Sequence, residues 1–346
     1  MTKDLLAFDI GGANLKLADG RGFAASIFFP LWQRPSELAD ILAALVATAP
    51  AAERFAVTMT GELADCFATK AEGVSHILAA VAKVAAPREV RVYLTDGSLV
   101  TPADAIERPL MAAASNWHVL ACFSGRYAPR GAAILLDIGS TTCDLVPLEN
   151  GRPVARGRTD PERLMSGELV YTGVVRSPVC AVAASLPWHG AQVPIAHELF
   201  ATTWDAYLTL GELPEEPECT QTADGRPATK AAARDRLARM ICADREMFDD
   251  DDALAAAAAV ARAQLAKIAV AAQAVVRRMT SPPAAVVACG KGEFLAPRLL
   301  EKLKLGATLI SLGKELGAEL SRVATAHALA VIAREAASPG RDQIEM

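Results

Sequence analysis

No Cys-x-x-Cys pair occurs among the seven cysteines, and their number is odd, so the chain has neither a zinc-ribbon pattern nor a disulfide framework. The thiols fit a reducing compartment. Stringing Cys180, His189 and His197 into a metal site matches no established zinc spacing, and ordinary buried or surface side chains are the preferred reading. There is no lysine-rich or arginine-rich block: 35 basic against 40 acidic residues give a net charge of −5, which argues against nucleic acid as principal partner. Nor is there an uninterrupted apolar run of membrane-spanning length, because the longest tract, 253–276, is cut by Arg262, Gln264, Lys267 and Gln273. Thr2, Lys3 and Asp4 lead straight into a predicted strand rather than a signal peptide. A cytoplasmic globular protein without a membrane partner is expected. With 346 residues, 52% apolar and 22% charged, the chain has material for about two domains with substantial cores, which excludes disorder and collagen-like repeats.

Short apolar runs rich in β-branched and aromatic residues alternate with helical patterns, predicting an α/β architecture. Strands are expected at 5–9, 15–19, 23–28, 55–59, 90–94, 132–137, 143–147, 284–288 and 307–310. Helices are expected at 36–47, with Ser36 as cap, and at 75–85, 227–242, 252–279, 293–304 and 321–336. Asn150-Gly151 between two apolar runs predicts a hairpin, and Gly20 to Gly22 punctuates the opening strands. Leu5 to Gly12 recurs 128 residues later as Ala133 to Ser140, each copy continuing into a second strand. Two domains of related build follow, 1–128 and 129–346, with the hinge near Tyr127 to Gly131. The proline-broken stretch 156–251 reads as an insertion or lid on the second domain.

An apolar strand ending in Asp-Ile-Gly, followed at once by another strand, places turn amides where glycine lets a ligand approach. Such amides hold phosphate oxygens, while the aspartate at the strand end holds Mg²⁺ or its waters. The first copy offers Asp9, Gly11, Gly12, Asn14 and Lys16. The second offers Asp137, Gly139, the hydroxyls of Ser140, Thr141 and Thr142, and a second carboxylate, Asp144. Facing each other, two such turns would clamp a diphosphate, with Asp9 and Asp137 as metal ligands. Asp249 to Asp252 superficially suggests a magnesium motif, but aspartates at a helix start complement its dipole, and that is the expected role. Trp188-His189 and Trp204 are expected to pack rather than to floor an aromatic pocket.

The duplicated pattern resembles the phosphate motifs of the actin, sugar kinase and Hsp70 superfamily. Ala285 to Phe294 resembles that superfamily's third signature, a strand entering a glycine turn and helix, although its glycine pattern is partial. Within the superfamily the chain is similar to the hydantoinase A and oxoprolinase branch. Thr58 to Phe67, Asp137 to Asp144, Arg158 to Leu164, Gly167 to Gly173 and Thr222 to Arg226 further resemble proteins of tetrahydromethanopterin-linked one-carbon pathways, the family of (aminomethyl)furan–tyramine condensing enzymes of methanofuran biosynthesis. That resemblance implies a two-domain, ribonuclease H-like fold with an active-site cleft between the domains. It also implies condensation of an (aminomethyl)furanylmethyl diphosphate with the phenol oxygen of tyrosine, tyramine or a γ-glutamyl derivative, with release of pyrophosphate.

The residues suit that chemistry. The furan stabilises a developing cation at its methylene, provided Mg²⁺ and donors neutralise the leaving pyrophosphate. A carboxylate must accept the phenolic proton, since a free phenol with a pKa of about 10 is a poor nucleophile at neutral pH. Glu62 is the first candidate base, with Asp144 and Glu168 behind it; a helix cap or solvated carboxylate is the competing reading for each. Arg176 and Lys291 are candidates to meet the acceptor's carboxylate or the diphosphate, against the plainer reading of exposed loop residues. The rival functions are an ATP-dependent small-molecule kinase or hydantoinase-type ATP-hydrolysing subunit, and, more remotely, an actin-like assembly protein or sugar-responsive repressor. The alanine-rich helix at 252–279 permits packing within its domain or across a homodimer.

Overall fold

The computed structural model describes residues 4–337; Thr2 and Lys3 lie outside them, and Asp4 leads directly into the first strand. The first sheet is built from β1 (Leu5–Ile10), β2 (Asn14–Ala18), β3 (Ala24–Phe28), β4 (Arg54–Met59), β5 (Glu89–Tyr93) and β6 (Leu99–Val100), in the order β3-β2-β1-β4-β5-β6. β1, β2 and β3 form an antiparallel meander, whereas β1, β4 and β5 run parallel. β1 is apolar almost throughout because helices cover both of its faces. Its side chains alternate accordingly. Leu6, Phe8 and Ile10 join the core beneath helices Leu38–Ala47 and Lys70–Ala85, while Leu5 and Ala7 meet Val119, Leu329 and Ala330 of helices Asn116–Ser124 and Ala324–Ala336. Phe8 and Phe55 meet edge to face with centroids 5.0 Å apart, locking the central parallel pair.

The second sheet contains β7 (Ala132–Ile138), β8 (Cys143–Glu149), β9 (Arg152–Pro153), β10 (Leu169–Val170), β13 (Ala285–Cys289) and β14 (Thr308–Ser311), in the order β10-β8-β7-β13-β14 with β9 paired to β8. β11 (Ser185–Trp188) and β12 (Ala191–Pro194) form a separate hairpin. All nine predicted strands are present within a residue or two, and Asn150-Gly151 makes the expected turn, both residues having positive φ. The α/β class in two sheets is thus observed.

By their contacts the residues group into two units. One comprises Met1–Leu135, Val146–Met165 and Ile310–Met346, the other Leu136–Leu145 and Ser166–Leu309. A single cut at 128/129 does not describe this grouping, because helix Ala324–Ala336 returns to the first sheet and packs on β1, β2 and β4. In the second unit the long helix Asp250–Val276 packs against helices Thr203–Thr209 and Lys230–Arg239 and strand β11. Its composition and length would suffice to cross a membrane, but its Ala253, Ala256, Ala257 and Val260 belong to the unit's core. Asp249 caps it: the Asp249 side chain accepts from the Asp252 amide and Asp252 answers at the Asp249 amide, so the aspartate run plays the expected helix-starting role. Ser36 does not act as a cap. It lies inside a 3₁₀ turn, Pro35–Glu37, and the helix proper begins at Leu38.

Candidate functional site

The two copies of the Asp-Ile-Gly motif fold into the same turn. In the first, the Gly11 amide donates to Asn14 O at 3.0 Å; in the second, Gly139 donates to Thr142 O at 2.8 Å. Carbonyls are tied back in both. Gly12 O and Ala13 O accept from Leu31 and Phe29, while Gly139 O accepts from Val174 and Ser140 O from Val175 and Arg176. The amides of Gly12 and Ala13 in the first turn, and of Ser140 and Thr141 in the second, donate to no backbone acceptor among the described residues, and such amides suit an anion. A Cβ added at Gly12 would meet no atom within 4 Å, so packing does not require glycine there; it keeps the amide face clear.

Charge distinguishes the copies. Asp9, buried at the end of β1, pairs across the hairpin with Lys16, whose Nζ donates to Oδ2 at 3.1 Å. Asp9 Oδ1 is buried with no hydrogen-bond partner. Seven residues beyond Asp137, at the position equivalent to Lys16, stands Asp144, so the second turn carries two carboxylates where the first carries an ion pair. Asp137 is half-buried and Asp144 buried. The Cys289 thiol is fully buried against them. Burial and then the Asp137 carboxylate, which accepts its S–H, hold that thiol well above the ordinary range, so it serves as a donor to Asp137 rather than as a nucleophile. Gly290, with φ +90°, follows; a Cβ there would clash with Ile138 O and Asp137 Oδ1, and Gly292 N donates to Ile138 O at 2.8 Å. The stretch resembling a third signature therefore buttresses the second turn before entering the 3₁₀ turn Glu293–Leu295 and helix Ala296–Leu303.

No cluster of three or more metal-ligating side chains occurs among the described residues. Magnesium bound through one or two carboxylates plus substrate phosphates needs no such cluster. Both turns suit it: Asp9 by its unpartnered buried oxygen, the second turn by two carboxylates next to three hydroxyl side chains.

Glu62 lies in the 3₁₀ turn Gly61–Leu63, after the end of β4, where Thr60 N continues the parallel ladder to Ile10 O at 3.0 Å. A Cβ on Gly61 would stand 3.2 Å from Ile10 O and 3.3 Å from the Gly11 carbonyl carbon, so the Glu62 turn rests directly on the first Asp-Ile-Gly turn. The side chain is 1% exposed, and neither carboxylate oxygen has a hydrogen-bond partner. Burial raises its pKa to about 7. The Glu62 and Ala114 amides and the Lys70 ammonium pull the value back without reaching hydrogen-bond geometry, and Asp160 raises it. Lys70 Nζ lies 3.9 Å from Glu62 Oε1 and 2.6 Å from Asp160 Oδ2. Gly73, one turn further along the helix, approaches so closely that a Cβ would lie 2.5 Å from Glu62 O. Sequence reasoning missed Lys70, Asp160 and Gly73 as parts of this site. Asp160 stood inside a recognised motif, but nothing local in sequence joins it to residues ninety positions earlier.

The remaining candidates sort by their contacts. Glu168 is 1% exposed, with Arg278 Nη2 3.5 Å from its Oε1. Arg176 is exposed, and its backbone amide fastens Ser140 O. Lys291 is exposed, 3.4 Å from Glu216 Oε1 and over the Trp204 ring at 5.1 Å. Trp188 and His189 stack on each other at 4.2 Å. Gly173, closing the Gly167 to Gly173 segment, backs onto Ser140 and Thr141 with no room for a Cβ, and its carbonyl accepts from buried Thr203 and Gln264. An open cavity of about 480 Å³ lies elsewhere in the second unit, lined by Phe200, Arg226, Asp235, Arg239 and Cys242 to Arg245; no predicted site residue other than the motif's own Arg226 lines it.

Comparison with known proteins places these features in a lineage. Over 251 residues the chain is 37% identical to a Methanocaldococcus jannaschii protein named (4-{4-[2-(gamma-L-glutamylamino)ethyl]phenoxymethyl}furan-2-yl)methanamine synthase, covering 72% of this chain and 74% of that one. A Methanococcus vannielii protein of the same name is 34% identical over 121 residues, 35% of this chain and 54% of that one. Among solved structures, the polyphosphate/ATP-glucomannokinase of Arthrobacter sp. strain KM aligns over 96% of this chain and 99% of its own, at 15% identity and a TM-score of 0.44. The hydantoinase/oxoprolinase pattern matches residues 54–334. The chain belongs to the hydantoinase/oxoprolinase family.

Proposed function

We propose that this protein forms the aryl ether of a methanofuran-type coenzyme, condensing (5-(aminomethyl)furan-3-yl)methyl diphosphate with the phenol oxygen of tyrosine, tyramine or a γ-glutamyl derivative. The relatives' name describes a phenoxymethylfuran carrying a γ-glutamylaminoethyl chain, a product of that kind. A bond forms between the phenol oxygen and the furan methylene carbon, the carbon–oxygen bond to diphosphate breaks, pyrophosphate leaves with the electron pair, and the phenolic proton passes to a carboxylate.

The observation that carries the reading is Glu62: a buried carboxyl with both oxygens unpartnered and a pKa raised to about 7, resting on the turn of Gly11. A base of that strength is better matched to a phenol than an exposed carboxylate, and it is in its proton-accepting form at and above neutrality. Gly11, Gly12, Asn14 and Lys16 on one turn, and Gly139, Ser140, Thr141 and Thr142 on the other, offer amides, hydroxyls and one ammonium to diphosphate oxygens. Magnesium held at Asp9 or at Asp137, with Asp144 beside it, would supply the charge that neutralises the departing pyrophosphate. Asp144, next to Asp137, serves the metal better than it serves the phenol. The test mixes protein, Mg²⁺, the furan diphosphate and each acceptor without ATP, and follows pyrophosphate and the ether by mass spectrometry. Product that disappears in Asp137→Ala supports the transferase. Absence of product with every acceptor, together with acceptor-stimulated ATP hydrolysis, refutes it in favour of a kinase-like activity.

A further inference from the structure

The contacts around Glu62 extend the site to two residues with no role so far. Lys70 opens helix Lys70–Ala85, and a cation in a first turn opposes the helix dipole, so its place is not explained by the helix it starts. Lys70 and Gly73 share a helix face by their spacing of three, and Gly73 abuts the Glu62 backbone; that face is therefore turned to the base. Asp160, opening helix Asp160–Ser166, draws the ammonium to 2.6 Å and leaves it 3.9 Å from Glu62 Oε1. The side chains of Lys70 and Asp160 are only 20% and 18% exposed, so solvent screens the pair weakly. Among the described residues, the charged groups that act on Glu62 are Lys70 and Asp160. The segment through Ala114 brings an amide, and the β1–β2 turn brings the backbone of Ile10 and Gly11 against Gly61.

We propose that Lys70 and Asp160 are positioning residues for Glu62: Asp160 holds the Lys70 ammonium just beyond hydrogen-bonding distance, close enough to support a charged Glu62 and too far to fix it by a hydrogen bond. Rigid pairing would fix Glu62 as an inert carboxylate, and loss of the ammonium would leave it protonated and unable to accept a proton. The inference rests on Glu62 being the base of the proposed reaction, but its test is read on the substrate-free protein as well.

Glutamate labelled with ¹³C at the side-chain carboxyl, with Glu62→Gln identifying the resonance, reports the titration of Glu62 directly. Lys70→Met should move that titration up by roughly 1–3 pH units, the effect of an opposite charge at such a distance. Asp160→Asn should move it down, because a repelling carboxylate is lost and Lys70 is released toward Glu62. Lys70→Arg, which keeps the charge, should leave it near wild type. The acid limb of kcat/KM against pH should follow in the same directions. Opposite shifts from two neighbouring substitutions are not produced by general loosening, whereas shifts of the same sign, or none, overturn the proposal. Should the resonance move as expected while no ether product forms with any acceptor, the coupling stands and the transferase reading falls. Should product form while the Lys70→Met limb stays in place, the coupling falls and the transferase stands.

Discussion

Glu62→Gln separates catalysis from stability. A carboxyl whose folded pKa is about 7 against an ordinary 4.5 binds its proton more tightly in the folded protein, so stability is greatest below pH 4.5, falls as pH rises through 7, and is constant above. At about 1.36 kcal/mol for each pH unit of difference, the ceiling is roughly 3.4 kcal/mol, of which about 2.5 kcal/mol is lost between pH 5 and pH 8. Glutamine cannot ionise, so the variant lacks this slope. A buried, unsatisfied amide costs about 1–3 kcal/mol of its own, which is why the comparison is made between two pH values rather than at one. Urea unfolding of both proteins at pH 5 and pH 8 should show the variant gaining about 2–3 kcal/mol on wild type as pH rises. The same variant should lose roughly 10²–10⁴-fold in kcat as general-base help disappears. A stability difference that is the same at both pH values would refute the premise that Glu62 titrates near neutrality, and with it the explanation for its burial.

Gly173→Ala places a Cβ against the Ser140 and Thr141 backbone, displacing the second Asp-Ile-Gly turn; condensation should fall by roughly 100-fold while circular dichroism stays native. Gly12→Ala meets no protein atom, so it should unfold at the wild-type urea midpoint yet raise the KM for the furan diphosphate, and an unchanged KM would remove Gly12 from the anion site. Asp249→Ala removes one side of a capping box and should cost about 1 kcal/mol in urea unfolding, with the magnesium dependence of the reaction unaltered.

What the sequence disclosed follows from which forces are local. The nine long strands were legible because apolar β-branched runs with flanking turns declare themselves within ten residues. Helix Asn116–Ser124 was not, because Trp117, Val119, Leu120, Ala121, Phe123 and Ser124 are all buried and leave no polar face to set a period. The β11–β12 hairpin was hidden by Pro187 and Pro194, tolerated in a two-stranded ribbon, and by its turn, His189-Gly190, where both residues adopt positive φ in place of the familiar Asn-Gly. The paired Asp-Ile-Gly turns were legible through duplication. Glu62 was legible as a carboxylate after a strand, but the burial that raises its pKa was not, because the close packing of Gly61 and Gly73 around it appears only when separate stretches of backbone meet.

Duplication also explains why the two turns differ where they do. Their backbones share the same closing hydrogen bond and leave the following amides without a backbone acceptor, so on the proposed reading either copy can offer donors to a phosphate group, and selection is free to vary the side chain seven residues after the aspartate. Lysine at that position in the first copy engages one Asp9 oxygen and adds a positive charge; aspartate in the second adds a negative one beside Asp137. On the proposed reading, the charge of each turn suits a different part of the substrate, one the diphosphate and the other its magnesium. Exchanging the charges tests this division of labour. Lys16→Asp should weaken binding of the furan diphosphate more than it raises the magnesium concentration needed for half-maximal rate, and Asp144→Lys should do the reverse. Equal effects of the two exchanges on both quantities would mean that the turns are not specialised, and that the divergence between them reflects packing alone.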